Sequence, residues 1–192
     1  MIIVASGFWA GLSSRSKRFI TILSCFVFCV AITAAGTLTP LNAQETKNLN
    51  DEIDQVRTSA ENASLWQGAL SIFENNFMID LIMFIPVAGQ LYGSIALYDT
   101  GLVFNAQSTN TDVNPMHWSG TLVFLVNFIA PHQLLEFIAY ATAFAASIWL
   151  LWRIMKGQGK QELVRTGKFI LICAGLLLLA AFIEEYLILM LR

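Results

Sequence analysis

Between Arg57 and Arg153 the chain carries no lysine or arginine. A water-soluble domain rarely runs so far without them, because its surface depends on charged side chains. The basic residues fall instead into three groups: Arg15, Lys17 and Arg18; Lys47 and Arg57; and Arg153, Lys156, Lys160, Arg165 and Lys168, with Arg192 beyond. Only 12% of residues are charged and 56% are hydrophobic, whereas about a quarter of an ordinary globular domain is charged. Lipid, not water, is the solvent this composition suits. No basic patch interleaved with aromatics is present, which argues against nucleic acid as a partner.

The apolar runs set the architecture. Phe19 to Leu38 is free of charge and long enough to span a hydrocarbon core. It reads as an N-terminal anchor over residues 1–38. Its basic flank, and Ala43 shortly after it, also fit a cleaved signal peptide. Residues 39–68 are polar. Leu49, Ile53, Val56, Ala60 and Ala63 recur there at helical spacing, with Asn48 as an N-cap. This segment is expected to be a solvated extracytoplasmic helix lying on the membrane domain or the bilayer surface, or a docking surface for a partner outside the cell. Asn62-Ala63-Ser64 matches the N-glycosylation triplet, a short motif that arises often by chance. The membrane core domain then occupies residues 69–192. Its first span is best placed at Phe77 to Tyr98, kinked at Pro86, with a turn at Asp99-Thr100-Gly101. Residues 105–117 are polar. Trp118 to Trp152 is too long for one crossing and divides at Pro131 into two spans, the first short or re-entrant. Phe169 to Leu191 is the last span.

The basic loop from Arg153 to Lys168 belongs in the cytoplasm, and residues 39–68 belong outside. An odd number of crossings must separate them. The resulting expectation is an all-α polytopic transmembrane helical bundle of about five spans, with one or more helices kinked or re-entrant at Pro86 and Pro131. The N-terminus is then cytoplasmic and the C-terminus extracytoplasmic.

Two stretches carry a family likeness: Phe73 to Gly101, with Asn75-Asn76, Pro86, Gly89, Gly93 and Thr100-Gly101, and Phe128 to Arg153, with Pro131-His132 and Glu136. Over about residues 70–155 the chain resembles the stage II sporulation protein M family, most closely its archaeal members. Many members read Pro-His-Gly where this chain has Gln133. The resemblance implies a five-span membrane protein. It also implies a non-enzymatic role, since the bacterial namesakes are membrane partners of septal wall-degrading enzymes. Relatives in organisms that do not sporulate make the fold a firmer implication than the process.

The residues able to carry chemistry are few. His132 and Glu136 share one helix face, with Pro131 suited to the first turn. A carboxylate at bilayer depth is costly and is paired or functional. The expected arrangement is a hydrogen-bonded staple of His132 and Glu136 meeting Asn75 or Asn76; the alternative is a metal or proton site. Asp80, Asp99, Glu184 and Glu185 are the other charges of the apolar segments, and the paired glutamates are expected at the outer interface. His117 is placed at the opposite face from His132. No His-Glu-x-x-His helix, phosphate loop or nucleophile elbow is present. Cys25, Cys29 and Cys173 lie in apolar runs and read as small core residues. No catalytic residue, metal or cofactor is expected. The leading expectation is a cell-membrane scaffold that recruits other envelope proteins or copies of itself. A transporter or channel-like subunit, and an accessory subunit of a membrane enzyme complex, are the alternatives.

Overall fold

The computed structural model describes residues 11–61, 64–110 and 116–190, with the side chains of 56–61 left aside. The described residues form seven helices and no strand. They are α1 (Ser14–Thr37), α2 (Ala43–Glu61), α3 (Leu65–Met83), α4 (Ala88–Thr109), α5 (Gly120–Phe128), α6 (Pro131–Met155) and α7 (Gly159–Met190). Of these, α1, α6 and α7 are long and apolar enough to cross a membrane.

Local sequence sets most of the helix starts. Ser13 Oγ accepts from the Ser16 N–H at 3.1 Å at the head of α1. Ser64 and Gln67 form a reciprocal capping box at the head of α3. Ser119 caps α5, and Pro131 occupies the first turn of α6, where its missing N–H costs nothing. The start of α2 differs from expectation. The helix begins at Ala43, not after Asn48, because Asn42 Oδ1 accepts from the Gln44 and Glu45 N–H groups while Glu45 accepts from the Asn42 N–H. Leu49 and Ile53 of the α2 stripe are half-buried. The side chains of Val56 and Ala60, together with Asn62, Ala63 and Asp112, lie outside the described residues.

Charge fixes the relative directions of the long helices. Arg18, at the start of α1, meets Glu162, at the start of α7, so these two helices run parallel. The α6 helix runs against them: Trp149, near its end, donates to Thr21 Oγ1 at 3.2 Å. One end of the bundle therefore collects Arg15, Lys17 and Arg18 with Arg153 to Lys168. The other end holds Thr37, Pro131 and Glu185.

The middle of the chain departs from expectation. Phe77 to Tyr98 is not one kinked helix. It is broken at 84–87, where Pro86 lacks an N–H and Val87 takes φ 67° and ψ −62°. The Ala88 N–H bonds back to the Pro86 carbonyl at 2.8 Å, closing a tight three-residue turn. The chain reverses there. Gly68, in the first turns of α3, lies against Glu185 at the far end of α7. At the other end of the hairpin, Tyr98 of α4 reaches Thr39 with a 2.7 Å hydrogen bond. Thus α3 and α4 form a hairpin with both ends on the Thr37 side. No turn occurs at Asp99-Thr100-Gly101, where α4 runs straight through. Gly101 is there because α1 and α4 cross backbone to backbone, a Cβ on it standing 2.8 Å from Gly36 Cα.

Trp118 to Trp152 does divide at Pro131, and its first part is a short helix. The nine residues of α5 cover about 14 Å, under half a hydrocarbon core. The helix slants inward from Thr121, bonded to Thr37 at 3.0 Å, to Phe128, whose ring meets Phe26 and Phe137. His117 accordingly stands at the Thr37 end, the end from which α6 and His132 also start, and not across the bundle from His132. A cluster of Phe104, Phe124, Phe128 and Phe137 seals α5 onto α4 and α6.

Candidate functional site: a buried carboxyl cluster

Helix periodicity places two polar pairs face to face inside this apolar bundle. Asn76 and Asp80 stand one turn apart on α3, and Glu136 and Tyr140 one turn apart on α6. Asn76 Nδ2 donates to Glu136 Oε1 at 2.7 Å, and Gln133 Nε2 donates to Glu136 Oε2 at 3.4 Å. Glu136 is only 6% exposed. Asp80, Glu136 and Glu184 all lie within electrostatic reach of the Tyr140 hydroxyl, so α3, α6 and α7 each bring one carboxyl group to one place.

The satisfaction of these groups is uneven. Among the described residues, neither oxygen of Asp80 nor either of Glu185 has a hydrogen-bond partner, and both residues are fully buried. Glu185 fills the space that the missing side chain of Gly68 leaves, so that any Cβ on Gly68 strikes its carboxyl group. Among the described residues none of these carboxyl groups forms an ion pair. Buried carboxyl groups without donors cost free energy that apolar residues of the same size would not.

The expected staple is rearranged. His132 does not bond Glu136; its buried Nδ1 has no partner among the described residues. The Glu136 oxygens accept instead from the side-chain amides of Asn76 and Gln133. Asn75 is exposed and donates to Asn76 Oδ1 at 3.3 Å. Asp99 is exposed at the Thr39 end of α4 and stays apart from the cluster. Glu184 is half-buried, and Glu185 packs under Gly68. Sequence inspection missed Tyr140, Gln133 and Gly68. An i,i+4 search from Glu136 finds Tyr140, whereas nothing local marks Gly68. Among the described residues no three His, Cys, Asp or Glu side chains are placed to hold a metal, and the three cysteines are free and buried.

A family model, SpoIIM: Stage II sporulation protein M, matches residues 20–187. The chain belongs to the stage II sporulation protein M family. The match reaches well beyond residues 70–155, which carry the Asn-Asn and Pro-His motifs, and takes in most of both α1 and α7. No curated protein and no solved structure matches the chain. Family membership and the three long apolar helices together make it a membrane protein. In this stage II sporulation protein M family member, the Asn-Asn motif supplies the donor to Glu136, and the Pro-His motif supplies the helix start that brings Glu136 to it.

The cluster yields a graded expectation. Glu136→Ala strands the Asn76 and Gln133 amides and should lower stability by about 1–3 kcal/mol. Glu136→Gln keeps an acceptor and the shape, and should cost less. Thermal melts in detergent, run beside a cellular complementation assay, check this. Folded yield and function falling together mark a structural contact. A Glu136→Gln protein that melts normally but fails to function would mark an ionising role.

Proposed function

We propose that this family member is a non-enzymatic scaffold of the cell envelope that positions partner proteins on the outer side of the membrane. In this reading α1, α3, α4, α6 and α7 are five membrane-embedded helices. The basic end lies in the cytoplasm with the N-terminus, and the far end of α7 lies outside. The concentration of Arg15 to Arg18 and Arg153 to Lys168 at one end supports that orientation.

The observation that carries the scaffold reading is α2. It is a polar helix held at the end opposite the basic residues. Its half-buried side, with Thr46, Leu49 and Ile53, packs on the bundle through α4. Its other side exposes Glu45, Asp51, Glu52 and Asp54. A helix bound by one face offers the other to a partner. The bacterial namesakes, as membrane partners of septal wall-degrading enzymes, point the same way.

Purification of the intact chain in mild detergent, with mass spectrometry of what comes with it, tests the proposal. Envelope proteins should co-purify. Charge reversal at Asp51 and Glu52 should release them without changing the melt of the chain. A single cysteine placed at residue 50 should label from outside intact cells, and one at residue 160 should not. Retention of every partner by the charge-reversed chain would defeat the α2 assignment. The carboxyl groups of Asp80 and Glu185, without hydrogen-bond partners among the described residues, favour a second reading, a subunit of an ion or proton path, which the Glu136→Gln comparison separates from the first.

A further inference from the structure

We infer that the cleft between the start of α1 and the second to fourth turns of α7 binds the headgroup of an acidic phospholipid. The cleft has a volume of about 330 Å³ and is bounded by Arg15 and Arg18 of α1 and by Arg165, Lys168, Phe169 and Ile172 of α7. Ser14 lines it as well, so the positive end of α1 opens onto the same space.

Four cationic side chains, Arg15, Arg18, Arg165 and Lys168, line the cleft, and two of them, Arg18 and Arg165, share the carboxylate of Glu162. Glu162 is almost fully buried, and both its oxygens are engaged by Arg18 at 2.7 Å, with Arg165 at 3.5 Å. It neutralises one charge and presents no free oxygen to repel an incoming anion. Arg15 and Lys168 are exposed and form no ion pair among the described residues. A guanidinium beside an ammonium suits a phosphodiester, which takes forked donors and point charges alike. Directly below the cations the wall turns apolar: Phe169 is half-buried and Ile172 is 55% exposed. A soluble phosphate has no use for that wall, whereas an acyl chain does. Basic residues above apolar residues, at the end that the charge pattern assigns to the cytoplasmic leaflet, match the side on which acidic lipid accumulates. The inference rests on the membrane placement of the chain and is independent of the scaffold role.

The test uses the purified full chain in detergent, titrated with phosphatidylglycerol or with phosphatidylcholine of the same acyl chains, and counts bound lipid by native mass spectrometry. Phosphatidylglycerol should be retained and phosphatidylcholine lost. Arg15→Gln with Lys168→Gln should weaken phosphatidylglycerol binding about thirtyfold, two basic contacts at about 1 kcal/mol each. Lys156→Gln with Lys160→Gln removes the same charge at the same end but outside the cleft, and should change binding by no more than about threefold, the residue of general surface potential. All four side chains are exposed, and a melt of each variant confirms that it is folded. Equal losses in the two double variants would overturn the site in favour of diffuse attraction. Inorganic phosphate displacing the lipid at equal concentration would overturn it in favour of a soluble anion.

Discussion

Gly101→Val should leave little folded protein in detergent, with a loss of about 3 kcal/mol. A Cβ at this position meets the Thr33 carbonyl oxygen, Gly36 Cα at 2.8 Å and the Thr37 nitrogen at 3.0 Å. All three are backbone atoms of α1, so no side chain can swing aside, and relief requires the helices to separate. Gly36 faces the same limit from the other side, against the Tyr98 carbonyl and Gly101 Cα. Ala at both positions should therefore cost less than the two single changes added, because both break one contact. Small residues that allow this approach are the usual means by which helices pack in lipid, where apolar side chains gain little by leaving it. Gly175 is the control. Nothing lies within 4 Å of a Cβ placed there, and Gly175→Ala should match the parent or gain up to about 1 kcal/mol from helix propensity. A Gly101→Val protein that melts with the parent would show that α1 and α4 do not cross at this point.

Glu162→Gln is the second large effect, expected at about 3 kcal/mol. The carboxylate side chain is 4% exposed and that of Arg18 is 12% exposed, and the two meet as a fork, oxygen to nitrogen at 2.7 Å on each prong. Arg153 approaches to 4.0 Å and Arg165 to 3.5 Å. Glutamine keeps the shape but leaves three guanidinium groups crowded together with no counter-charge, which is why the loss exceeds that of an ordinary ion pair. The guanidinium of Arg18 also lies 4.5 Å from the Trp149 ring centroid, so its displacement loosens α6 as well. Arg165→Gln should cost less than about 1 kcal/mol, since that side chain is half in water. Chemical denaturation in detergent with both variants measures the contrast. Similar midpoints for Glu162→Gln and Arg165→Gln would mean that Glu162 does not hold the three helices together.

The sequence disclosed the solvent more readily than the path. The gap in basic residues from Arg57 to Arg153 marks lipid, and Pro131 marks the start of α6, because both are statements about composition or one local bond. A broken helix at Pro86 cannot be told from a kinked one by the missing N–H alone. What decides it is the positive φ of Val87, a conformation that a β-branched residue takes only under tertiary constraint. Gly101 looked like punctuation beside Asp99 and Thr100, yet it serves a helix crossing whose other half is 65 residues away in sequence, at Gly36. Asn76 and Glu136 were readable as polar residues at unusual depth. Asp80 and Tyr140 follow them one helical turn on, at a spacing the sequence shows, whereas Glu184 joins them only because the fold brings the end of α7 alongside. Glu162 was hidden among the basic residues of its own loop, although a lone acid in such a run is itself a signal.

The position of α6 bears on how the protein is made. It packs against α1, α3, α4, α5 and α7. Its most apolar stretch is 67% buried, against 22% for α1 and 28% for α7, and is also the least hydrophobic of the three. It carries Glu136, Thr142 and Ser147 inward. A nascent α6 released alone into lipid would face all of these groups toward hydrocarbon. Four of its five neighbours precede it in the chain, so the ribosome delivers its surroundings first. An ordered biogenesis is therefore the expectation: the helices that precede α6 form part of its socket before it enters, and α7 closes the open side. Truncations ending just after Met155 should be far more stable in cells than a fragment beginning at Pro131, even though both contain the whole of α6.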